Sequence, residues 1–180
     1  MTHTMKKTGF FLFLLLIANL LVSCREGTPV NTVDLQSEQL KESLEKANRY
    51  LTNEEEEEIQ RYISRHKLDM VSTGTGLRYQ VTQEGRGDLI RPGQRVRLEY
   101  VLNDIAGHVI YSSEKDGIRT FDVGCGDVEP GLDEVMPYLR KDAVAKVIIP
   151  SHLGYGLQGD HKGISPRSTL IYTLKVIEVK

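Results

Sequence analysis

The hydrophobic period of the chain changes once, near residue 70. Before it, Leu40, Leu44, Ala47 and Leu51 fall at helical spacing, and Ile59, Tyr62, Ile63 and His66 resume that spacing beyond Thr52 and Asn53. The pattern predicts two amphipathic helices, the second capped by Thr52 or Asn53. The acidic run at 53–59, NEEEEEI, then supplies carboxylates to a first helical turn, where the helix dipole favours them, rather than an interaction patch. After Met70 the period shortens to two in GLRYQVTQ, QRVRLEYVL, HVIYSS, RTFDVG, AVAKVIIP and TLIYTLKVIEV, separated by the glycine-bearing turns EGRGD, RPGQ, NDIAGH and EKDG. These are the strands of an antiparallel sheet. One helical pattern interrupts them, PGLDEVMPYLRK at 130–141, with Leu132, Val135, Met136 and Leu139 on one face and Pro137 predicting an early end or a tightened turn. A one-sided sheet has to cover its apolar face, and this helix is the cover within the strand region, so the fold class is α+β.

The amino-terminal segment has a different character. Lys6 and Lys7 precede an apolar run at 9–22, which ends at Ser23 and Cys24. At about 14 residues it is too short for a bilayer span and matches the core of a signal peptide. The residues LVSC at 21–24 resemble the lipobox of bacterial lipoproteins, which implies cleavage before Cys24, acylation of its sulfur and stable anchoring by more than one chain. The expected organisation is a signal peptide at 1–23, a polar tether at 24–36, a helical extension at 37–70 and a globular domain at 71–180. Arg25 after the cysteine, where an aspartate would retain an enteric lipoprotein in the inner membrane, points to the cell envelope at the outer membrane, facing the periplasm.

Charge and cysteine content narrow the chemistry. Without residues 1–23 the chain carries 21 basic and 25 acidic residues, a net charge of −4 with no basic cluster, which leaves no footprint for nucleic acid. With Cys24 acylated, Cys125 is the remaining thiol, no intramolecular disulfide can form, and Cys125 reads as a small apolar strand residue. His152, Asp160 and His161 share a loop but fit no metal-ligand spacing, so they read as solvated loop residues and no metal site is expected.

The succession VEPGLDEVM, AKVIIPSHLGYG and ISPRSTLIYTLKVIEV, with TGLRYQVTQEGRGD ahead of it, resembles the FKBP-type peptidyl-prolyl cis-trans isomerases over roughly 76–180. The resemblance implies a sheet of five to six strands wrapped around a short helix, with a pocket between them that admits a proline ring. Carried over position by position, it implies catalytic roles for Tyr100, Tyr155 and Tyr172, and substrate contacts from Phe121, Val128, Leu132, Ile164, Ile110 and Tyr111. The glycine-rich stretch at 154–163 would be the flap over that pocket. Five positions depart from the family pattern. Ile110 and Tyr111 stand where Phe-Asp is usual, Leu132 where tryptophan is common, Arg119 at an aromatic wall position, and Glu129 where an isoleucine follows the valine.

The implied reaction needs no cofactor, metal or nucleophile, because its barrier is the double-bond character of the X-Pro amide, about 18–20 kcal/mol. The resemblance therefore implies a membrane-anchored isomerase acting on proline-containing polypeptides during the folding of exported proteins. It also implies a homodimer through the amino-terminal helices, as in several exported relatives. The departures suggest a second reading, a peptide-binding or chaperone module with weak or no turnover. A third is a component of an envelope or gliding-motility assembly, by similarity of the segment RYISRHKLDM to lipoproteins of that kind.

Overall fold

The computed structural model describes residues 32–180, with side chains from Ser37 onward. The signal segment and residues 24–31 of the tether assigned to 24–36, Cys24 among them, lie outside the described residues, and 32–36, expected as tether, are helical. No described helix is long and apolar enough to cross a membrane.

Where the hydrophobic pattern predicts two helices, one continuous helix runs from Thr32–His66 (α1). Thr52 does not cap anything: its hydroxyl donates back to the Asn48 carbonyl at 2.8 Å, inside the helix. The glutamate run consists of good helix formers, and Glu56 and Glu57 accept from Gln60 and Arg61 one turn on, so nothing at 52–53 interrupts the ladder. The chain divides into two compact units, Met1–Ala47 and Asn48–Lys180. In the first, Leu40 and Leu44 are exposed. The second holds the rest of α1 and all of the strands.

The strands are β1 (Val71–Ser72), β2 (Arg78–Gln83), β3 (Arg86–Leu89), β4 (Arg95–Asn103), β5 (Val109–Ser112), β6 (Arg119–Asp122), β7 (Arg140–Lys141), β8 (Val144–Ile149) and β9 (Leu170–Val179). A seven-stranded antiparallel sheet has the order β1-β2-β8-β9-β4-β5, and β6 also pairs with β4. β4 is long enough to hold two partners on one edge: β6 along Arg95–Leu98 and β5 along Val101–Asn103. Its even-numbered residues, Val96, Leu98, Tyr100 and Leu102, are buried and its odd-numbered ones face outward, as strict alternation requires. The short pair β3–β7 was not visible in the sequence, because an exposed strand of four residues carries no alternation to read.

A four-residue helix (α2, Ser113–Asp116) follows β5, and the covering helix is α3 (Pro130–Val135). α3 tightens into a 3-10 turn at Met136–Tyr138, where Pro137 cannot continue α geometry. It lies hard against β8: a Cβ on Gly131 would stand 2.4 Å from Ile149 Cγ2, so only glycine fits. Leu132, Val135 and Met136 are fully buried beneath the sheet. The opposite face is covered as well. Ile148 and Ile171, partners across β8 and β9, pack against Ile59 and Tyr62 of α1. Cys125, expected within a strand, is exposed in the turn after β6, where Gly124 and Gly126 both have positive φ.

Candidate functional site

The nine side chains singled out in the sequence belong to one cluster. Tyr100 of β4, Phe121 of β6, Leu132 of α3, Tyr172 of β9 and Ile164 of the β8–β9 loop are buried together, with Val128, Tyr155, Ile110 and Tyr111 packed against them. Six parts of the chain thus converge on one packed cluster, called the cup below: β4, β5, β6 and β9, α3 with the residues just ahead of it, and the loop between β8 and β9. The rings of Tyr100 and Tyr172 lie 5.9 Å apart and tilted by 46°, within the range of favourable aromatic pairs.

The back wall of this cup is not apolar. Arg119 of β6 and Glu129, just ahead of α3, form a two-pronged ion pair, Nη2 to Oε2 at 2.6 Å and Nη1 to Oε1 at 3.3 Å. The Glu129 side chain is 1% exposed and that of Arg119 22%. Arg119 Nη1 also donates to the Tyr172 hydroxyl at 2.8 Å, and that hydroxyl donates in turn to Glu129. The Tyr155 hydroxyl, from the loop, donates to Glu129 at 3.4 Å. One buried carboxylate therefore gathers a guanidinium and two phenols, and the set is closed on itself, as buried polar groups have to be.

The electrostatics follow from that closure. Burial, then the Glu129 charge, pushes the Tyr172 hydroxyl well above the ordinary tyrosine value, against the opposing pull of Arg119. Burial and Glu129 likewise raise Tyr155, and burial raises Tyr100. Burial acts against the Arg119 charge, but the neighbouring Tyr172 and Glu129 outweigh it and hold the guanidinium above its usual range. The cup thus presents neutral phenols and a fixed cation.

The loop over the cup is held by a second knot. Asp160 accepts the amides of Lys162 and Ile164 at 2.9 and 2.8 Å, and the Tyr111 hydroxyl donates to its other oxygen. The Gly163 amide donates to the Tyr111 hydroxyl at 3.1 Å. Asp160 N donates to the Ile164 carbonyl at 3.1 Å, and Gly159, at φ +66°, leaves only 2.1 Å between a Cβ and that carbonyl, so the fold-back needs glycine there. Burial opposes the Asp160 charge, but the donors from Tyr111 and the loop amides hold its carboxyl below the usual range. The expectation of a solvated Asp160 is corrected by this knot. His152 Nε2 lies 3.0 Å from the Thr75 carbonyl. Among the described residues no group of three or more histidine, cysteine, aspartate or glutamate side chains is arranged to hold a metal ion.

Three participants were not legible as such. Arg119 and Glu129 stood out singly as departures, although an arginine and a glutamate replacing two apolar wall positions ten residues apart suit a mutual pair. Glu55 was read as part of a capping run, yet it accepts from the Ser151 amide and hydroxyl and from Thr169, at both stems of the loop.

Residues 87–177 match the family model of the FKBP-type peptidyl-prolyl cis-trans isomerases. The chain belongs to that family. It is 32% identical over 111 residues, 62% of its length, to a probable FKBP-type peptidyl-prolyl cis-trans isomerase of Haemophilus influenzae, and 31% identical over 109 residues to FkpA of Escherichia coli K12. The match spans 46% and 40% of those two relatives, less than half of either. Among solved structures, AtFKBP13 superposes over 63% of this chain and 100% of its own, with a TM-score of 0.59 and 26% identity. The crystal structure of Escherichia coli FkpA covers 99% of this chain and 98% of its own at a TM-score of 0.63 and 23% identity, a likeness of fold.

Proposed function

We propose that the chain is a peptidyl-prolyl cis-trans isomerase acting on exported polypeptides, held at the cell envelope by a lipid on Cys24. The observation that carries the reading is the convergence of Tyr100, Phe121, Leu132, Ile164 and Tyr172 in one buried cluster beneath a glycine-rich loop, in a chain of this family.

In that reading the proline ring seats against the aromatic and aliphatic side of the cup. Twisting the X-Pro amide removes its resonance and part of its dipole, so a site that withholds water disfavours the planar state relative to the twisted one. Tyr155, at the mouth, has a hydroxyl able to leave its 3.4 Å contact with Glu129 and donate to the carbonyl as it rotates. Arg119, exposed enough to be met by a peptide, replaces an aromatic surface with a cation that Glu129 keeps in place.

The lipid anchor rests on the lipobox-like LVSC, and a dimer through the amino-terminal helices is consistent with the exposed Leu40 and Leu44. A binding module with weak turnover is the second reading, and the Arg119–Glu129 pair favours it, since the pair occupies wall that a proline ring would otherwise touch.

Cis/trans exchange in a short Leu-Pro peptide, followed by NMR with residues 25–180 and with Tyr155→Ala and Ile164→Ala, separates the two. Accelerated exchange that both folded variants lose supports the isomerase. Binding of the peptide with an unchanged exchange rate supports the module.

A further inference from the structure

The loop that carries Tyr155, Asp160 and Ile164 leaves β8 at Ser151 and rejoins β9 at Thr169. Both stems are tied to a single side chain that belongs to neither the sheet nor the loop. Glu55 of α1 accepts the Ser151 amide at 2.7 Å and the Thr169 hydroxyl at 2.7 Å on one oxygen, and the Ser151 hydroxyl at 2.8 Å on the other. Ser151 and Thr169 are 6% and 4% exposed, so water has little access to replace the carboxylate.

From Ser151 the tie continues into the loop. Its carbonyl accepts the amides of Gly154 at 3.1 Å and Gly156 at 2.9 Å, on either side of Tyr155, and the Gly156 carbonyl accepts the Arg167 amide at 2.8 Å. The Glu55 carboxylate is thus one hydrogen-bonded residue away from the backbone that aims the Tyr155 hydroxyl. Its own position is fixed from two directions. One residue on, Glu56 grips Arg78 Nη2 at 2.5 and 2.6 Å, and Arg78 Nη1 donates to the Gly76 carbonyl at 2.7 Å. One turn on, Ile59 and Tyr62 are buried against Ile148 and Ile171.

From this arrangement we infer that Glu55 is a positioning residue for the loop over the cup: α1 acts on the site through a carboxylate clasp on both loop stems. The inference rests on the isomerase reading for its effect on turnover, but the clasp itself is a statement about the loop. A carboxylate with two oxygens suits three donors arriving from two strands, and charge-assisted bonds to a buried amide and hydroxyls are the strong kind. Alanine at this position leaves the Ser151 amide, buried in the native fold, without its acceptor. Glutamine keeps one carbonyl oxygen for the amide and the Thr169 hydroxyl, and its NH₂ can face the Ser151 hydroxyl, which then accepts.

The test compares the full-length chain with Glu55→Ala and Glu55→Gln by backbone amide hydrogen exchange and by exchange in the Leu-Pro peptide. The clasp predicts that Glu55→Ala raises amide exchange at 154–164 at least tenfold while amides of β4, β8 and β9 keep their protection, and that Glu55→Gln stays within about threefold of the parent. It further predicts that kcat/KM falls in Glu55→Ala by a similar factor and is restored in Glu55→Gln. Uniform acceleration across sheet and loop, or unchanged loop exchange in a folded Glu55→Ala, overturns the inference, because Glu55 would then serve global stability or nothing. A parent chain with no isomerase activity overturns the functional reading instead, and the amide-exchange comparison still decides the clasp.

Discussion

Arg119 and Glu129 are ten residues apart in sequence and meet at 2.6 Å inside the cup, where the family resemblance leads one to expect an aromatic and an isoleucine. Each is intelligible only with the other. A lone buried carboxylate or guanidinium is costly, whereas breaking an existing buried pair by removing one member typically costs about 3–5 kcal/mol. Glu129→Ala is therefore expected to lower unfolding stability by about 3 kcal/mol, toward the lower end because Arg119 retains some exposure. The double variant Arg119→Phe, Glu129→Ile restores an apolar wall and is expected to be as stable as the parent or more so. Urea midpoints of the three proteins check this, and a double variant as unstable as the single one would show that the pair is not what the wall depends on.

The Tyr155 hydroxyl, on the loop, reaches Glu129 at 3.4 Å, and Tyr155→Phe removes it while keeping the ring. If it stabilises the rotating carbonyl by one to two kcal/mol, kcat/KM falls roughly ten- to thirtyfold, with the loss in kcat. A loss carried by a higher KM at unchanged kcat would mean that the hydroxyl binds ground and transition state alike.

Much of this site was legible through the family resemblance, which named Tyr100, Phe121 and Tyr172; all three are buried residues of β4, β6 and β9. α3 and its tightening at Pro137 followed from proline chemistry. The polar contacts escaped because they are long-range. Nothing local distinguishes Glu55 from the four glutamates around it, since its partners Ser151 and Thr169 lie about a hundred residues away in sequence and reach it only once α1 has docked. The apparent break at Thr52 misled for a related reason: cap propensity is weak beside an uninterrupted helical ladder and the packing of Ile59 and Tyr62.

The raised tyrosine values make a prediction at alkaline pH. Tyr172 binds its proton more tightly folded than unfolded, so it contributes stability that is fully present below the unfolded value near 10 and is lost as pH rises above it. Stability is expected to fall between pH 10 and 12 with a slope of up to about 1.4 kcal/mol per pH unit for each such tyrosine. Tyr172→Phe should flatten that slope by about one proton, as read from urea unfolding at several pH values. An unchanged slope would mean that the hydroxyl ionises as freely in the fold as outside it.

Asp160 gives the opposite sign. Its folded value is depressed, so its contribution is present above the unfolded carboxylate value near 4 and is lost as pH falls through the folded value below it. Protonation removes the acceptor for the Ile164 and Lys162 amides, and the loop should loosen below about pH 4. Protection factors at 160–164, each taken against the intrinsic exchange rate at its own pH, are expected in the parent at low pH to approach those of Asp160→Ala at neutral pH, while β8 and β9 stay protected. Loosening of sheet and loop together would place the acid sensitivity elsewhere.

Ile59 is 1% exposed and covers Ile148 and Ile171, which sit on the face of the sheet that α3 does not reach. Ile-to-Ala substitutions at such sites cost about 2–5 kcal/mol, and Ile59→Ala is expected near the middle of that range. Removal of residues 1–66 strips the whole cover, exposes two isoleucines on adjacent strands and leaves Arg78, 8% exposed in its side chain, without Glu56. That fragment is expected to be unfolded or aggregated, whereas residues 48–180, which keep Glu55, Glu56, Ile59 and Tyr62, should unfold cooperatively with a urea midpoint near that of the longer chain. A stable, cooperative fragment 67–180 would show instead that the helix is an accessory to a self-sufficient sheet, and the clasp from Glu55 would then be free to act on the loop without any role in holding the fold.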